Sequence, residues 1–326
     1  MEPMQKKPEL ILCGSIAIDR IMNFNGKFAE IIQPDKLHVL SLSVLLEQLV
    51  DTPGGIAANI AYSLGLLGES PVLLGSVGKS DQKYIQSLAD LGINTTNVHF
   101  SSLPTASFNV ITDQDDNQVG GFYPGAMNDA DELDLTSWEG SDAVVVISAH
   151  DPSAMRRQVE QGKEHGLRLV YDVGQQVSNL PSVDLQTGVD SAEVVIMNDY
   201  ELGVLCKKIN TTSDELAKKV PILITTFGGK GSRIEGAEVA VAIQIQAAKP
   251  SSVADPTGAG DAFRAGFLYG YLRQWKFETC GQLGATIASY AVEKHGTQAH
   301  SFTLDALARR YKENFKQELL LHHDSK

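Results

Sequence analysis

The chain carries three cysteines in 326 residues, Cys13, Cys206 and Cys280, and no two of them form a C-x-x-C pair. That spacing argues against a disulfide framework and against a zinc knuckle. The eight histidines show no H-E-x-x-H or comparable ligand pattern. Positive charge is scarce: 27 Lys and Arg face 40 Asp and Glu, a formal charge of −13. Nucleic acid and anionic membrane surfaces would be repelled at long range, which weighs against both as partners. No apolar run approaches the ~18 residues of a membrane span, and Leu10-Ile11-Leu12 is too short for a signal segment. Repeats, low-complexity tracts and Pro/Ser linkers are missing too. The expectation is a soluble, reduced, cytoplasmic protein that handles small molecules.

What is present is a sheet-and-helix rhythm. Runs of four or five apolar residues recur at Leu10–Cys13, Ala143–Ile147, Leu167–Tyr171, Val194–Met197 and Ile222–Thr225, with Val72–Leu74 as a shorter one. Without strict alternation, such runs suit strands buried on both faces of a parallel sheet. Helical stretches fall between them, from Gly54 to Leu67 and over about 80–91. The fold class read from this pattern is α/β, a doubly wound, mostly parallel sheet flanked by helices. Two more polar stretches, about 16–46 and 105–124, read as strands with hairpin turns at Asn25-Gly26 and Asp115-Asp116-Asn117. They are expected to fold together as a small β lid inserted in one core spanning residues 1–326. The last third is expected to be mostly helical, from Gly258 to about Phe315, with a frayed end at His322–Lys326.

The string Asp255-Pro256-Thr257-Gly258-Ala259-Gly260-Asp261-Ala262-Phe263 is the sharpest chemical feature. Small residues at 258–260, where a helix begins, let backbone N–H groups and the helix dipole approach an anion. A carboxylate there is odd for a loop that only binds phosphate. Asp261 makes sense facing a hydroxyl that loses its proton while attacking a phosphate, although a helix-start carboxylate held by the dipole is the simpler alternative. The string is neither a Walker A nor a Rossmann loop, and Gly228-Gly229-Lys230-Gly231-Ser232 lacks P-loop spacing. Thr225 to Gly231 closes a strand with a flexible turn, where nucleotides bind in parallel sheets; a plain strand-to-strand turn fits as well. Asn198 and Glu201 share a helix face and could orient Mg²⁺ through water, yet the same pair is the pattern of a capping box. Asp19, Gly55 and Asn59 combine a carboxylate, exposed backbone N–H groups and an amide, a set able to grip vicinal hydroxyls. Singly, each is more often a turn or cap residue. Phe108, Phe122, Tyr123 and Tyr171 are aromatic candidates for stacking a base, and Arg264 could reach phosphate or a surface salt bridge.

From residue 9 to about 315 these strings resemble the ribokinase/PfkB family of sugar and nucleoside kinases. Asp255–Asp261 with Phe263 and Gly266 is similar to its C-terminal signature. Pro34–His38, Gly54–Tyr62, Asp115–Gln118, Phe122–Asn128 and Asp261–Gly270 look most like bacterial adenosine kinases. The resemblance implies Asp261 as base, with the N–H groups of Gly258, Ala259 and Gly260 as anion hole. It implies Asp19, Gly55 and Asn59 on sugar hydroxyls, Asn198 and Glu201 in Mg²⁺ and phosphate placement, and Thr225, Gly228 and Gly231 at the ATP turn. Gly296 would border the nucleotide, and a monovalent cation such as K⁺ beside Asp255 is admitted. The expected activity is ATP- and Mg²⁺-dependent phosphorylation of the 5′-hydroxyl of adenosine or a related nucleoside. A ribose or fructose kinase is the alternative, and both monomer and homodimer stay open.

Overall fold

In the computed structural model the described residues are 7–39, 41–129, 132–319 and 321, so the expected frayed end at 322–326 lies outside them. Eight strands form the central sheet: β1 (Leu10–Cys13), β4 (Val72–Leu74), β9 (Val144–Ser148), β10 (Arg168–Asp172), β11 (Val194–Asn198), β12 (Ile222–Thr226), β13 (Ser232–Glu235) and β14 (Ile243–Ile245). Their order is β14-β13-β12-β11-β10-β9-β1-β4. The six strands from β4 across to β12 pair in parallel, and β13 and β14 add antiparallel at one edge.

Alternation along each strand sorts the side chains into two cores. Leu10, Leu12, Val144, Val146, Val194, Ile196, Ile222 and Ile224 pack on one face, with helices α2 (Ile56–Leu66), α3 (Gln82–Asp90), α8 (Ala259–Tyr271), α9 (Phe277–Ala291) and α10 (Leu304–Phe315). Ile11, Cys13, Val145, Ile147, Val195, Met197 and Leu223 pack on the other, against α4 (Pro152–Glu164), α5 (Ser182–Ser191), α6 (Asp199–Lys208) and α7 (Ser213–Lys219). Each buried Leu, Ile or Val contributes about 1.5–3 kcal/mol against its exposed state, which is why the middles of the parallel strands are apolar on both faces. The small-residue stripe of α8 meets that of α9: a Cβ on Gly266 would lie 2.7 Å from the Cα of Gly284.

A second, four-stranded sheet has the order β3-β2-β7-β8, built from β2 (Ala17–Phe24), β3 (Leu46–Gly54), β7 (Ala106–Thr112) and β8 (Gln118–Tyr123). β5 (Ser76–Gly78) and β6 (His99–Ser101) pair separately. The β7–β8 hairpin turns through 113–117, with Asp116 at φ +61° and the Asp113 carboxylate accepting from the N–H groups of Asp115 and Asn117. The first segment departs from expectation. Asn25-Gly26 is not a two-residue hairpin turn, because β2 pairs with a strand that starts only at Leu46 and runs to Gly54, beyond 46. The connection instead holds α1 (Phe28–Ile31) and a 3₁₀ turn at Pro34–Val39. Phe28 decides this: its ring is buried and its N–H donates to Asp113 at 2.8 Å, docking the connection on the β7–β8 turn.

Candidate active site

The C-terminal ends of the parallel strands deliver the polar residues to one edge, as the topology of an open α/β sheet requires. Asp172 ends β10, Asn198 ends β11, and Thr226 ends β12. Gly258 caps α8 with φ +79°, ψ −5°, a left-handed conformation that costs any residue with a Cβ about 1–3 kcal/mol. A Cβ there would also press to 3.0 Å from Thr297. That cap turns the first-turn N–H groups of α8, those of Ala259, Gly260 and Asp261, toward the edge, although Ala259 N–H already makes a long 3.2 Å bond to the Pro256 carbonyl.

Asp261 is partly buried, and its Oδ2 accepts a 2.8 Å hydrogen bond from Asn59 Nδ2. Burial raises its carboxyl above the ordinary range; the Arg264 charge and the Asn59 bond lower it, and Glu201 and Asp19 raise it further. Asn59 is buried and committed. Besides Asp261 it meets Thr297 Oγ1 and Gln298 Nε2, each donating to Oδ1 at 2.9 Å. Gln298 Nε2 lies 2.6 Å from the Tyr84 hydroxyl, which donates to the Gly54 carbonyl at 2.9 Å. The amide therefore ties α2, α8 and the root of the second sheet together. Gly55 caps α2 at φ +95°, where a Cβ would meet the Ser15 carbonyl at 2.5 Å.

Asp19 sits on β2 beside Phe108, whose register partner on β8 is Phe122. Register partners share a sheet face, so Asp19, Thr52, Phe108 and Phe122 line one side. The same face turns to the C-terminal region: a Cβ on Gly296 would approach Thr52 Cγ2 at 3.6 Å. Among the described residues no hydrogen bond reaches the Asp19 carboxylate, and burial, then repulsion from Asp255, pushes it up to about 6. Phe108 and Phe122 are 40% and 48% exposed, open to a ligand. Tyr123 pairs with Ser107 one residue along and faces the opposite side. Tyr171 is no candidate: it is buried in the sheet core against Gly188.

Asn198 and Glu201 form the capping box of α6, with Asn198 Oδ1 accepting from Glu201 N at 2.8 Å and Glu201 Oε2 accepting from Asn198 N at 2.9 Å. The box does not remove Glu201 from the site. Burial raises its carboxyl, and Asp172 raises it while Arg264 lowers it, so it shares their electrostatic environment. Thr225 is buried within β12 rather than in the open turn, and its hydroxyl has no partner among the described residues. Gly228 is exposed at the turn, and Gly231 closes it, with Phe227 N–H donating to the Gly231 carbonyl at 2.8 Å. The N–H of Gly296 donates to Asp255 Oδ2 at 3.3 Å and that of Thr257 to Oδ1 at 2.9 Å. Burial opposes these donors and the nearby His295 charge, but their sum holds Asp255 below the usual range.

Residues 21–303 match the pfkB family of carbohydrate kinases. The chain belongs to that family. It is a phosphotransferase acting on a hydroxyl group, and its fold is ribokinase-like. A nucleoside kinase of Methanocaldococcus jannaschii is 32% identical over 94% of this chain and 98% of its own. The solved structure of a Methanocaldococcus jannaschii nucleoside kinase, an archaeal ribokinase-family member, superposes with a TM-score of 0.84 at 29% identity, covering 94% of this chain and 98% of that one. The Burkholderia thailandensis nucleoside kinase bound to inosine gives 0.83 at 31% identity, covering 95% and 99%, and it is also known in complex with ADP-inosine.

Sequence reasoning missed Asp172, Tyr84, Thr297 and Gln298. Asp172 carried a signal, a carboxylate at the end of an apolar run, of the kind that singled out Asp19. The other three are brought in by tertiary contacts that no spacing encodes.

Proposed function

We propose that this chain is an ATP-dependent nucleoside kinase that phosphorylates the 5′-hydroxyl of adenosine or a related purine nucleoside. The observation that carries the reading is the placement of Asp261, behind the Gly258 cap, with Asn59 fixing its carboxylate. Asp261 takes the proton from the acceptor hydroxyl, and the N–H groups of Gly258, Ala259 and Gly260 receive negative charge on the transferred phosphoryl group. The unpartnered Asp19 carboxylate, with the Gly55 backbone and the remaining Asn59 N–H, binds the ribose hydroxyls. Phe108 and Phe122 offer aromatic faces on the same side as Asp19, which suits a nucleobase better than a simple sugar. The turn at Gly228–Gly231, with Thr225 beneath it and Gly296 across from it, borders the adenine nucleotide.

Asp172, Asp261 and Glu201 bring three carboxylates around the single guanidinium of Arg264. Of these, Glu201 in the first turn of α6 is the carboxylate that fits the placement of Mg²⁺, an ion that would neutralise phosphate charge when bound. Among the described residues no three ligating side chains converge, so Glu201 would act through water. The second sheet serves as a lid, whose closing excludes water that would otherwise consume ATP. The test is ATP consumption with adenosine, inosine, guanosine, cytidine, ribose and fructose, in wild type and Asp261→Asn. Purine nucleosides should be turned over best, and the D261N enzyme should lose about 10³-fold or more in kcat with ATP binding kept. Preference for ribose or fructose would overturn the acceptor assignment, and near-normal turnover of D261N would remove Asp261 as the base.

A further inference from the structure

Arg264 stands one helical turn beyond Asp261, yet it does not reach for solvent; it is 8% exposed. Its guanidinium forks onto Asp172, with Nη2 donating to Oδ1 at 2.6 Å and Nε lying 2.5 Å from Oδ2. Asp172 is wholly buried at the end of β10. The remaining nitrogen, Nη1, is turned back to the start of α8: a Cβ on Gly260 would lie 2.7 Å from it. A fixed positive charge therefore lies under the Gly258–Gly260 turn and beside Asp261.

Buried Arg–Asp pairs add little to stability by themselves, since desolvation offsets most of their attraction and apolar replacements are often neutral. The surroundings suggest what this pair does instead. The charged groups acting on Asp261 and Arg264 are Asp172 on β10, Glu201 on α6 and Asp19 on β2, all of one sign, while Asn59 on α2 is the neutral contact. Arg264 is the cation among them. Were it absent, Asp261 would be a half-buried carboxylate facing three others.

We propose that Arg264, clamped by Asp172, is a positioning residue whose fixed positive charge keeps Asp261 ionised and ready to accept a proton. The proposal rests on Asp261 being the base. Its two members act with opposite sign: Arg264 favours the carboxylate form of Asp261, and the Asp172 charge opposes it. A pair that served only packing would carry no such sign, and loss of either member would simply loosen the fold.

The test is the pH dependence of kcat/KM for wild type, R264M, R264K and D172N, with folding checked by circular dichroism. R264M should move the acid limb up by about 1 pH unit or more, so that activity falls about tenfold at pH values below the wild-type limb and recovers at alkaline pH. D172N should move the limb down. R264K keeps the charge without the fork and should stay within about 0.5 unit of wild type. Shifts of R264M and D172N in the same direction, or no shift in either, would overturn the proposal. R264M strands the Asp172 carboxylate in the interior, so the neutral pair R264M/D172N is made beside it. That variant should show an acid limb above wild type and below R264M; a limb at or below wild type counts against Arg264. D261N separates the two ideas. Near-normal turnover there removes the base itself, whereas a D261N enzyme down by about 10³-fold or more together with an unmoved limb in R264M defeats the Arg264 proposal alone.

Discussion

Replacing Asp19 by Asn should stabilise the ligand-free protein while harming acceptor use. The carboxylate is partly buried, has no hydrogen-bond partner among the described residues, and is pushed from 3.8 to about 6 by burial first and by Asp255 second. Because the folded-state value is raised, protonation favours the fold. That contribution is complete below about 3.8 and is lost as pH rises through about 6. A shift of 6 − 3.8 = 2.2 units corresponds to about 3 kcal/mol at 1.36 kcal/mol per unit. Partial solvent access screens the carboxylate and reduces this to about 2 kcal/mol. With an unfolding entropy of about 2.1 cal/mol/K per residue, a chain of 326 residues has about 0.7 kcal/mol/K, so 2 kcal/mol moves Tm by about 3 °C. Calorimetric unfolding of wild type and D19N without ligand, from pH 4 to 8, measures it. The two should coincide near pH 4 and diverge through pH 6, D19N melting about 3 °C higher at pH 7.5. A variant less stable at pH 7.5, or a difference independent of pH, would refute the electrostatic origin. In the same preparations the acceptor KM should rise by about tenfold or more, the loss expected for a charged hydrogen bond. This is the trade in which a binding site stores instability that its ligand relieves.

Other outcomes follow from the same geometry. Phe108→Ala and Phe122→Ala should each raise the nucleoside KM about 5–10-fold, near 1 kcal/mol of lost aromatic contact, with ribose turnover unchanged in a steady-state comparison. Gly258→Ala places a Cβ at φ +79° and 3.0 Å from Thr297. It should cost about 1–3 kcal/mol in denaturant unfolding and lower kcat more than it alters the acceptor KM. Gly266→Val drives side-chain atoms into the backbone of Gly284. Loss of about 3 kcal/mol or more is expected, and an unchanged unfolding midpoint would show that α8 and α9 are not so closely packed.

The strands were legible because local physics decides them. A run such as Val194–Met197, apolar at every position, has one stable environment, a sheet covered on both faces, so β9 through β12 appear within a residue or so of where the runs lie. The Asp255–Asp261 string was legible for a similar reason, since only small residues permit a left-handed cap beside a helix-start carboxylate. The Asn25-Gly26 turn was misread because turn propensity is weak, and the burial of Phe28 against the β7–β8 turn, 85 residues away, outweighs it. Local sequence likewise left Asn198 and Glu201 balanced between a capping box and a phosphate site; the fold makes them the box and brings Glu201 near Asp172 and Arg264 as well. Face is the other thing the chain could not state. Phe122 and Tyr123 are neighbours of similar exposure, and only the pairing of β7 with β8 assigns Phe122 to the side of Asp19 and Tyr123 to the other. The sequence alone settled which residues could be apolar strand, glycine cap or carboxylate. Tertiary structure decided which carboxylates share a site, because Asp19, Asp172, Glu201 and Asp261 lie on four different elements and interact only once the sheet has brought their ends together.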